Sequence, residues 1–112
     1  MKVGFIRCMQ TEDMCPGTTD FKIAKLHKGC FSEIPEDVEI EVMGIVSCGG
    51  CPGKRAVHRA KKMVKMGAEA IVFTSCISKG TPIGFPCPHY EMMIEAVRRA
   101  VGPDIPVYDH SH

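Results

Sequence analysis

The 112-residue sequence contains no tryptophan, and phenylalanine and tyrosine together make up only 6% of it. So few aromatic side chains argue against a stacking platform for single-stranded nucleic acid. The sequence also lacks an excess of charge of either sign, because 14 basic and 13 acidic residues leave a formal net charge of +1. This balance gives no global field of the kind that attracts nucleic acid or a membrane surface.

Long apolar segments are absent as well, and no run approaches the roughly 20 residues that a membrane-spanning helix needs. The opening residues, MKVGFIR, carry charge too early and are too short for a signal peptide. We therefore expect a cytoplasmic protein with no membrane partner. A hydrophobic content of 45% over residues 1–112 predicts a single domain whose core needs no disulfides.

Cysteine is the residue that the sequence has in excess, with seven in a chain of this size and five histidines beside them. An odd number cannot form a complete set of disulfides. Without an export signal we expect the thiols to be reduced. Several reduced cysteines in one small chain usually indicate metal ligation or thiol chemistry.

Apolar segments typical of strands alternate along the chain with segments of helical periodicity. The strands are predicted at residues 3–8, 38–48, 70–76 and 105–110, and the helices at 20–28, 52–66 and 87–101. This alternation predicts an α/β fold, a small doubly wound (flavodoxin-like or Rossmann-like) parallel sheet of about four strands with three main helices. We predict the strand order 2-1-3-4.

Most of the cysteines follow the predicted strands or precede the predicted helices. The carboxyl ends of parallel strands meet at one edge of a sheet, and ligands bind in the crevice at that edge. We expect six cysteines to converge there, with three histidines nearby: Cys8, Cys15, Cys48, Cys51, Cys76 and Cys87, and His89, His110 and His112. Cys30 follows a helix, so we expect it at the opposite edge as an ordinary buried thiol.

The segment Cys48-Gly49-Gly50-Cys51 lies between the second strand and the second helix. A Cys-x-x-Cys pair can hold one metal ion, because two intervening residues let both thiolates turn inward. The start of the following helix, together with Lys54 and Arg55, is expected to favour thiolates. Both metal ligation and redox catalysis need thiolates, so the motif alone leaves both open.

Two other groups of polar residues receive simpler interpretations. The second helix carries six basic residues, which we interpret as a solvated face, so a nucleic-acid partner is not expected. They are Lys54, Arg55, Arg59, Lys61, Lys62 and Lys65. Thr18, Thr19 and Asp20 are interpreted as the cap of the first helix.

The Cys48–Cys51 motif resembles the signature of the CGGC-domain family of small prokaryotic proteins, and the resemblance extends over nearly the whole chain. It includes the segments at residues 4–8, 15–21, 47–54, 75–76 and 79–89. The resemblance implies a metal-binding domain, for which zinc is suggested, and it adds no reaction. The implied pool of ligands is Cys8, Cys15, Cys48, Cys51, Cys76, Cys87 and His89.

The first functional hypothesis is a metal-binding protein with a thiolate-rich site at the carboxyl edge of the sheet. Tetrahedral zinc needs four ligands, and the residues assigned to it are Cys48, Cys51, Cys76 and Cys87. Cys8, Cys15 and His89 remain over, so a second metal or a larger cluster is open. An iron–sulfur cluster on the same thiolates is the close competitor of zinc.

Two alternatives remain, and the sequence does not decide whether the protein is an enzyme. In the first, a thiol or sulfur redox enzyme uses Cys48 or Cys51 for attack, a neighbouring cysteine for resolution, and Lys54 and Arg55 to stabilise the thiolate. In the second, a sensor module changes the long loop at residues 78–86 on metal binding. Protein partners are not indicated by the sequence.

Overall fold

Four parallel strands form the centre of the computed structural model, which describes residues 1–112. They are β1 (Lys2–Arg7), β2 (Glu41–Ser47), β3 (Ala70–Phe73) and β4 (Val107–Tyr108). Their order in the sheet is β2-β1-β3-β4, and every neighbouring pair is parallel. Both the α/β fold class and the predicted strand order are confirmed.

Helices cover both faces of the sheet, as connections between parallel strands require. They are α1 (Thr18–Leu26), α2 (Lys54–Lys65), the single turn α3 (Ser75–Ser78) and α4 (Tyr90–Val101). None of these helices is long and apolar enough to span a bilayer.

Side chains that alternate along β1 divide the core between the two faces. Phe5 packs with Ile23 of α1 and with Phe31 on one face. Ile6 packs on the other face with Met63 of α2 and Val97 of α4. The carboxyl edge therefore has two sides, an α1 side and an α2/α4 side.

The boundaries around β3 differ from those predicted. The strand was expected to continue to Cys76, but it ends at Phe73 and is followed by α3. Strand β3 ends there because its partner strand β1 ends at Arg7. The last ladder bond is the one from the Thr74 N–H to the Ile6 carbonyl of β1, at 2.9 Å. Beyond that point the chain has no ladder to join, and the Ile77 N–H instead closes a turn onto the Thr74 carbonyl at 3.0 Å.

Two helices begin two or more residues later than predicted. Gly53 has φ +94°, which is incompatible with a right-handed helix, so α2 starts at Lys54 and not at residue 52. His89 occupies the position before α4, so that helix starts at Tyr90 and not at residue 87 or 88. The two prolines, Pro52 and Pro88, therefore lie in the connecting turns and not at a first helical position.

The remaining elements are close to the prediction but differ in length. Helix α1 begins at Thr18 and not at residue 20, because Gly17 takes a left-handed φ of +84° and ends the preceding loop. Strand β2 begins at Glu41 and not at residue 38, and β4 is limited to two residues. These differences leave the carboxyl edge where the prediction placed it.

Candidate functional site

The carboxyl ends of β1 and β2 place Cys8 and Cys48 side by side. Arg7 and Ser47 are paired in the ladder, and each is followed immediately by a cysteine. The Cys48 N–H donates to the Arg7 carbonyl at 2.7 Å, while the Cys8 N–H points at the Cys76 Sγ at 3.4 Å. Three neighbouring strands thus deliver three cysteines to one place, as the sequence predicted.

The Cys48–Cys51 segment turns sharply between β2 and α2. Gly49 and Gly50 both have positive φ, +82° and +103°. A methyl group on Gly49 would lie 2.6 Å from the Arg55 Cβ, so the chain passes too close to α2 for any side chain there. The turn leaves the Cys48 thiol buried and exposes Cys51 to solvent.

Four thiols line one small cavity of about 20 Å³, together with the apolar side chains of Met9, Ile77 and Met93. The four are Cys8, Cys48, Cys51 and Cys87. Cys76 lies against this group, with its Sγ 2.8 Å from the Thr74 hydroxyl oxygen. We call these five residues the thiol cluster.

Burial controls the protonation of two members of the thiol cluster. Burial raises the pKa of the Cys8 thiol, with a further contribution from negative charge on Cys48 and Cys76, although a backbone N–H from Gln10 acts in the opposite direction. Burial likewise raises the pKa of Cys87. In the absence of metal, these two residues are therefore expected to be neutral thiols near pH 7.

The residue types of the thiol cluster suit a metal ion, but their present positions do not form a coordination site. Thiolates are the ligands that zinc, copper(I) and iron–sulfur clusters prefer. As the side chains stand, however, no group of three or more histidine, cysteine, aspartate or glutamate residues is arranged to hold a metal ion. Metal binding here would require the thiols to turn inward from their present rotamers.

Three residues expected at this site lie outside the cavity. Cys15 lines a different pocket, where its carbonyl accepts a hydrogen bond from Arg7. His89 is connected to the cluster through its backbone N–H, which points at the Cys87 Sγ at 3.4 Å. Lys54 lines a groove between α2 and α4, because the later start of α2 turns it away from the thiols.

The remaining predicted residues have distinct positions. Arg55 packs its side chain over Gly49. His110 pairs with Asp109 at 2.7 Å on the surface, away from the cavity. Cys30 is not at the opposite edge: its N–H donates to the Ser111 carbonyl at 3.0 Å, because the chain folds back along α1 after Gly29.

Arg59 is a positioning residue that the sequence analysis assigned to the solvated face of α2. Its Nη1 donates to the Ser47 carbonyl at 2.9 Å and to the Ser47 hydroxyl at 2.8 Å. That hydroxyl in turn accepts the Gly49 N–H at 3.2 Å. Arg59 thereby fixes the start of the Cys48–Cys51 turn. Only its position in the second turn of α2, close to that segment, could have indicated this role.

A second pocket lies on the α1 side of the same edge, and we call it the polar pocket. Its lining includes Cys15, Thr18, Thr19, Asp20, Thr74, Ser75, Cys76, Thr81 and His112. The predicted capping role of Thr18, Thr19 and Asp20 is wrong, because Gly17 occupies the cap position and no side chain caps α1. Cys76 lines the polar pocket and also belongs to the thiol cluster.

Comparison with known proteins gives a family but no activity. The family model described as the CGGC domain matches residues 2–112. Among curated proteins, two uncharacterized proteins of Methanocaldococcus jannaschii are similar. One is 35% identical over 82 residues, covering 68% of this chain and 62% of the relative; the other is 33% identical over 58 residues, covering 51% and 83%. The chain thus matches about three-fifths of the first relative's length, and no solved structure matches it.

Proposed function

The chain belongs to the CGGC domain family, and from that premise we propose that it binds a thiophilic metal ion at the carboxyl edge of its sheet. The observation that carries the proposal is the convergence of four thiols from three separate chain segments on one cavity. Cys8 follows β1, Cys48 and Cys51 follow β2, and Cys87 precedes α4. Four thiolates are the number that a closed tetrahedral site needs.

The cavity favours a ligand set that differs by one residue from the set assigned on the sequence. Cys48, Cys51 and Cys87 are common to both sets. Cys8 lines the cavity, whereas Cys76 does not, and the Cys76 sulfur already lies at 2.8 Å from the Thr74 hydroxyl oxygen. We therefore propose Cys8 as the fourth ligand and Cys76 as the neighbour that accepts the Cys8 N–H.

Zinc is the proposed metal and an iron–sulfur cluster is its close competitor. A single ion needs less room than a cluster, and the cavity is small. When bound, the metal would draw the four thiols together and displace their protons, which supplies folding free energy to this edge. A reducing compartment such as the cytoplasm would keep the thiols available for it.

The test is metal and sulfide analysis of untagged protein purified without oxygen, with an absorption spectrum. Zinc near one equivalent without a visible band would support the proposed site. Iron with matching labile sulfide and a band near roughly 400 nm would replace zinc by a cluster on the same thiolates. Neither metal, with seven titratable thiols, would contradict metal binding.

A second candidate function is thiol redox chemistry, which is favoured by the difference in solvent exposure between the two cysteines of the Cys48–Cys51 motif. Cys51 is exposed, and Cys48, three positions earlier, is buried. The Cys51 thiolate would attack a disulfide substrate and release one thiol. Cys48 would then attack the mixed disulfide, release the second thiol and leave a Cys48–Cys51 disulfide. Stoichiometric reduction of a small disulfide by metal-free protein, lost in Cys51→Ser, would support this function.

A further inference from the structure

The polar pocket is a cavity of about 230 Å³ that has no role in the proposed metal site. It lies between the amino end of α1, the turn after β3 and His112. Its volume lies just below the range of drug-sized sites, about 300–1,000 Å³, so it suits a ligand of only a few non-hydrogen atoms. Its lining is rich in hydroxyl groups, with Thr18, Thr19 and Ser75 among them.

A buried carboxylate lies in the wall of this pocket. Asp20 is only 2% exposed. Its Oδ1 accepts a hydrogen bond from the Ser111 hydroxyl, which also accepts the Ser75 N–H at 3.1 Å. Its Oδ2 accepts no hydrogen bond from the protein and is not fully buried, so it remains available to a ligand in the pocket.

Asp20 also lacks a strong counter-ion. No lysine or arginine forms an ion pair with it, and its nearest basic side chain is His112, whose Nε2 lies 3.9 Å from Oδ1. Buried carboxylates in proteins are nearly always paired, because desolvating an isolated charge is costly. The positive end of the α1 dipole offsets part of this cost, since Asp20 lies in the first turn of the helix.

The same arrangement decides the sign of the ligand. An amino-terminal helix end would otherwise attract an anion, but Asp20 already places a negative charge there. A cationic group that donates several hydrogen bonds fits both the charge and the surrounding oxygen acceptors.

We propose that the polar pocket binds a small molecule through a primary ammonium group. One ammonium hydrogen would be donated to the Asp20 Oδ2, and the others to the hydroxyl oxygens of Thr18 or Thr19, which also line the pocket. The rest of the molecule would face Cys76, which lines the pocket at its boundary with the thiol cluster. This site stands without the proposed metal, since Asp20 and the hydroxyls are not among its ligands.

The experiment is a nuclear magnetic resonance titration of the reduced full-length chain with ethylammonium chloride, with sodium chloride, sodium acetate and ethanol as comparison solutes. We expect saturable shifts, specific to ethylammonium, in the amides of Thr18, Thr19 and Ser75. The carboxyl carbon of Asp20 should shift with the same apparent affinity. This carbon reports on the wild-type protein and needs no variant.

The variant that isolates the charge is Asp20→Asn, which keeps an oxygen to accept the Ser111 hydroxyl. We expect it to bind ethylammonium about tenfold or more weakly, as the loss of a charged hydrogen bond implies. Asp104→Asn, which changes an exposed carboxylate elsewhere, is the matched control and should bind like the wild type.

Three outcomes would overturn the proposal. The first is the absence of saturable shifts in the wild type, or shifts that sodium chloride reproduces. The second is equal affinity in Asp20→Asn and Asp104→Asn. The third is saturable binding of acetate at the same amides. Should Asp20→Asn fail to fold, the Asp20 carboxyl carbon in the wild type still decides, since an unchanged signal at saturation excludes this anchor.

Discussion

The two sides of the carboxyl edge carry different chemistry although they share one sheet and one set of strand ends. On the α2/α4 side, five sulfur atoms are surrounded by apolar side chains such as Ile77 and Met93. On the α1 side, a carboxylate, an imidazole and several hydroxyls line a wider pocket. Parallel strands thus place functional groups at one edge of the sheet, while the helices on each face determine which of those groups lie together.

The turn after β3 joins the two sides. The Ser75 hydroxyl accepts the Ser111 N–H at 3.2 Å and belongs to the α1 side. Cys76, the next residue, has its thiol beside the Cys8 N–H and also lines the polar pocket. The two sites are therefore adjacent at α3, although Ser75 belongs to one and the Cys76 thiol to the boundary between them.

The largest predicted difference between the two sides is in the reactivity of their thiols. Cys30 lies on the α1 side, where burial, with a smaller contribution from Asp20 and Asp109, raises its pKa to about 12. At pH 8 such a thiol is about a thousandfold less ionised than one with the ordinary pKa of 9.0. In metal-free, reduced protein we expect iodoacetamide to modify exposed Cys51 first and Cys30 last, as peptide mass spectrometry would show.

The pH dependence and the effect of metal complete this prediction. Because only the thiolate reacts, alkylation of Cys30 should accelerate about tenfold per pH unit between pH 8 and 11. One equivalent of zinc should protect Cys48, Cys51 and Cys87 and leave Cys15 unprotected. Equal protection of Cys15 would contradict the separation of the two sides.

A smaller effect is expected from a methyl group in the turn of the thiol cluster. Gly49 and Gly84 share φ +82°, but only Gly49 has a close neighbour, the Arg55 Cβ. Gly84→Ala carries only the strain of a left-handed residue, roughly 1–2 kcal/mol. Gly49→Ala adds overpacking, roughly 1–3 kcal/mol more, and should also weaken zinc binding. Urea unfolding and zinc titration of both variants measure these differences; equal losses in the two would refute the close approach.

The effect predicted on the α1 side is smaller than that of Gly49→Ala. Ser111→Ala leaves the Asp20 Oδ1 and the Ser75 N–H without their partner, which should lower the free energy of unfolding by about 1–3 kcal/mol. Metal content should stay unchanged, because Ser111 does not touch the thiol cluster. Ser32→Ala, at an exposed serine, is the control and should leave both quantities unchanged. Loss of metal in Ser111→Ala would show that the two sides act as one site.

Much of the fold could be predicted because it depends on patterns that are local in the chain. Ala70–Phe73 is apolar throughout, as a strand buried on both faces must be, and the alternation of strands and helices fixes a parallel sheet. Cys8 and Cys48 each follow a strand end, so their convergence needed only that topology. The lengths of β3 and β4 could not be predicted, since they depend on where their ladder partners end.

The sequence pattern could not predict that the carboxyl edge of the sheet is divided into two sites. Cys15 and Cys51 are each followed by proline shortly before a helix. They nevertheless lie in different pockets, because α1 and α2 cover opposite faces of the sheet. Lys54 was expected beside the thiols, but the left-handed Gly53 turns it into another groove. Asp20 gave no signal of burial, since its partner Ser111 is 91 residues away in the chain.

The most direct test of the central claim, that the α2/α4 side of the edge holds a metal, is the metal content of three proteins purified without oxygen. They are the wild type, the Cys48→Ser/Cys51→Ser double variant, and Cys30→Ser as the control on the α1 side. We predict about one equivalent of zinc in the wild type and in Cys30→Ser, and none in the double variant. Full metal content in the double variant would contradict a metal site on the α2/α4 side.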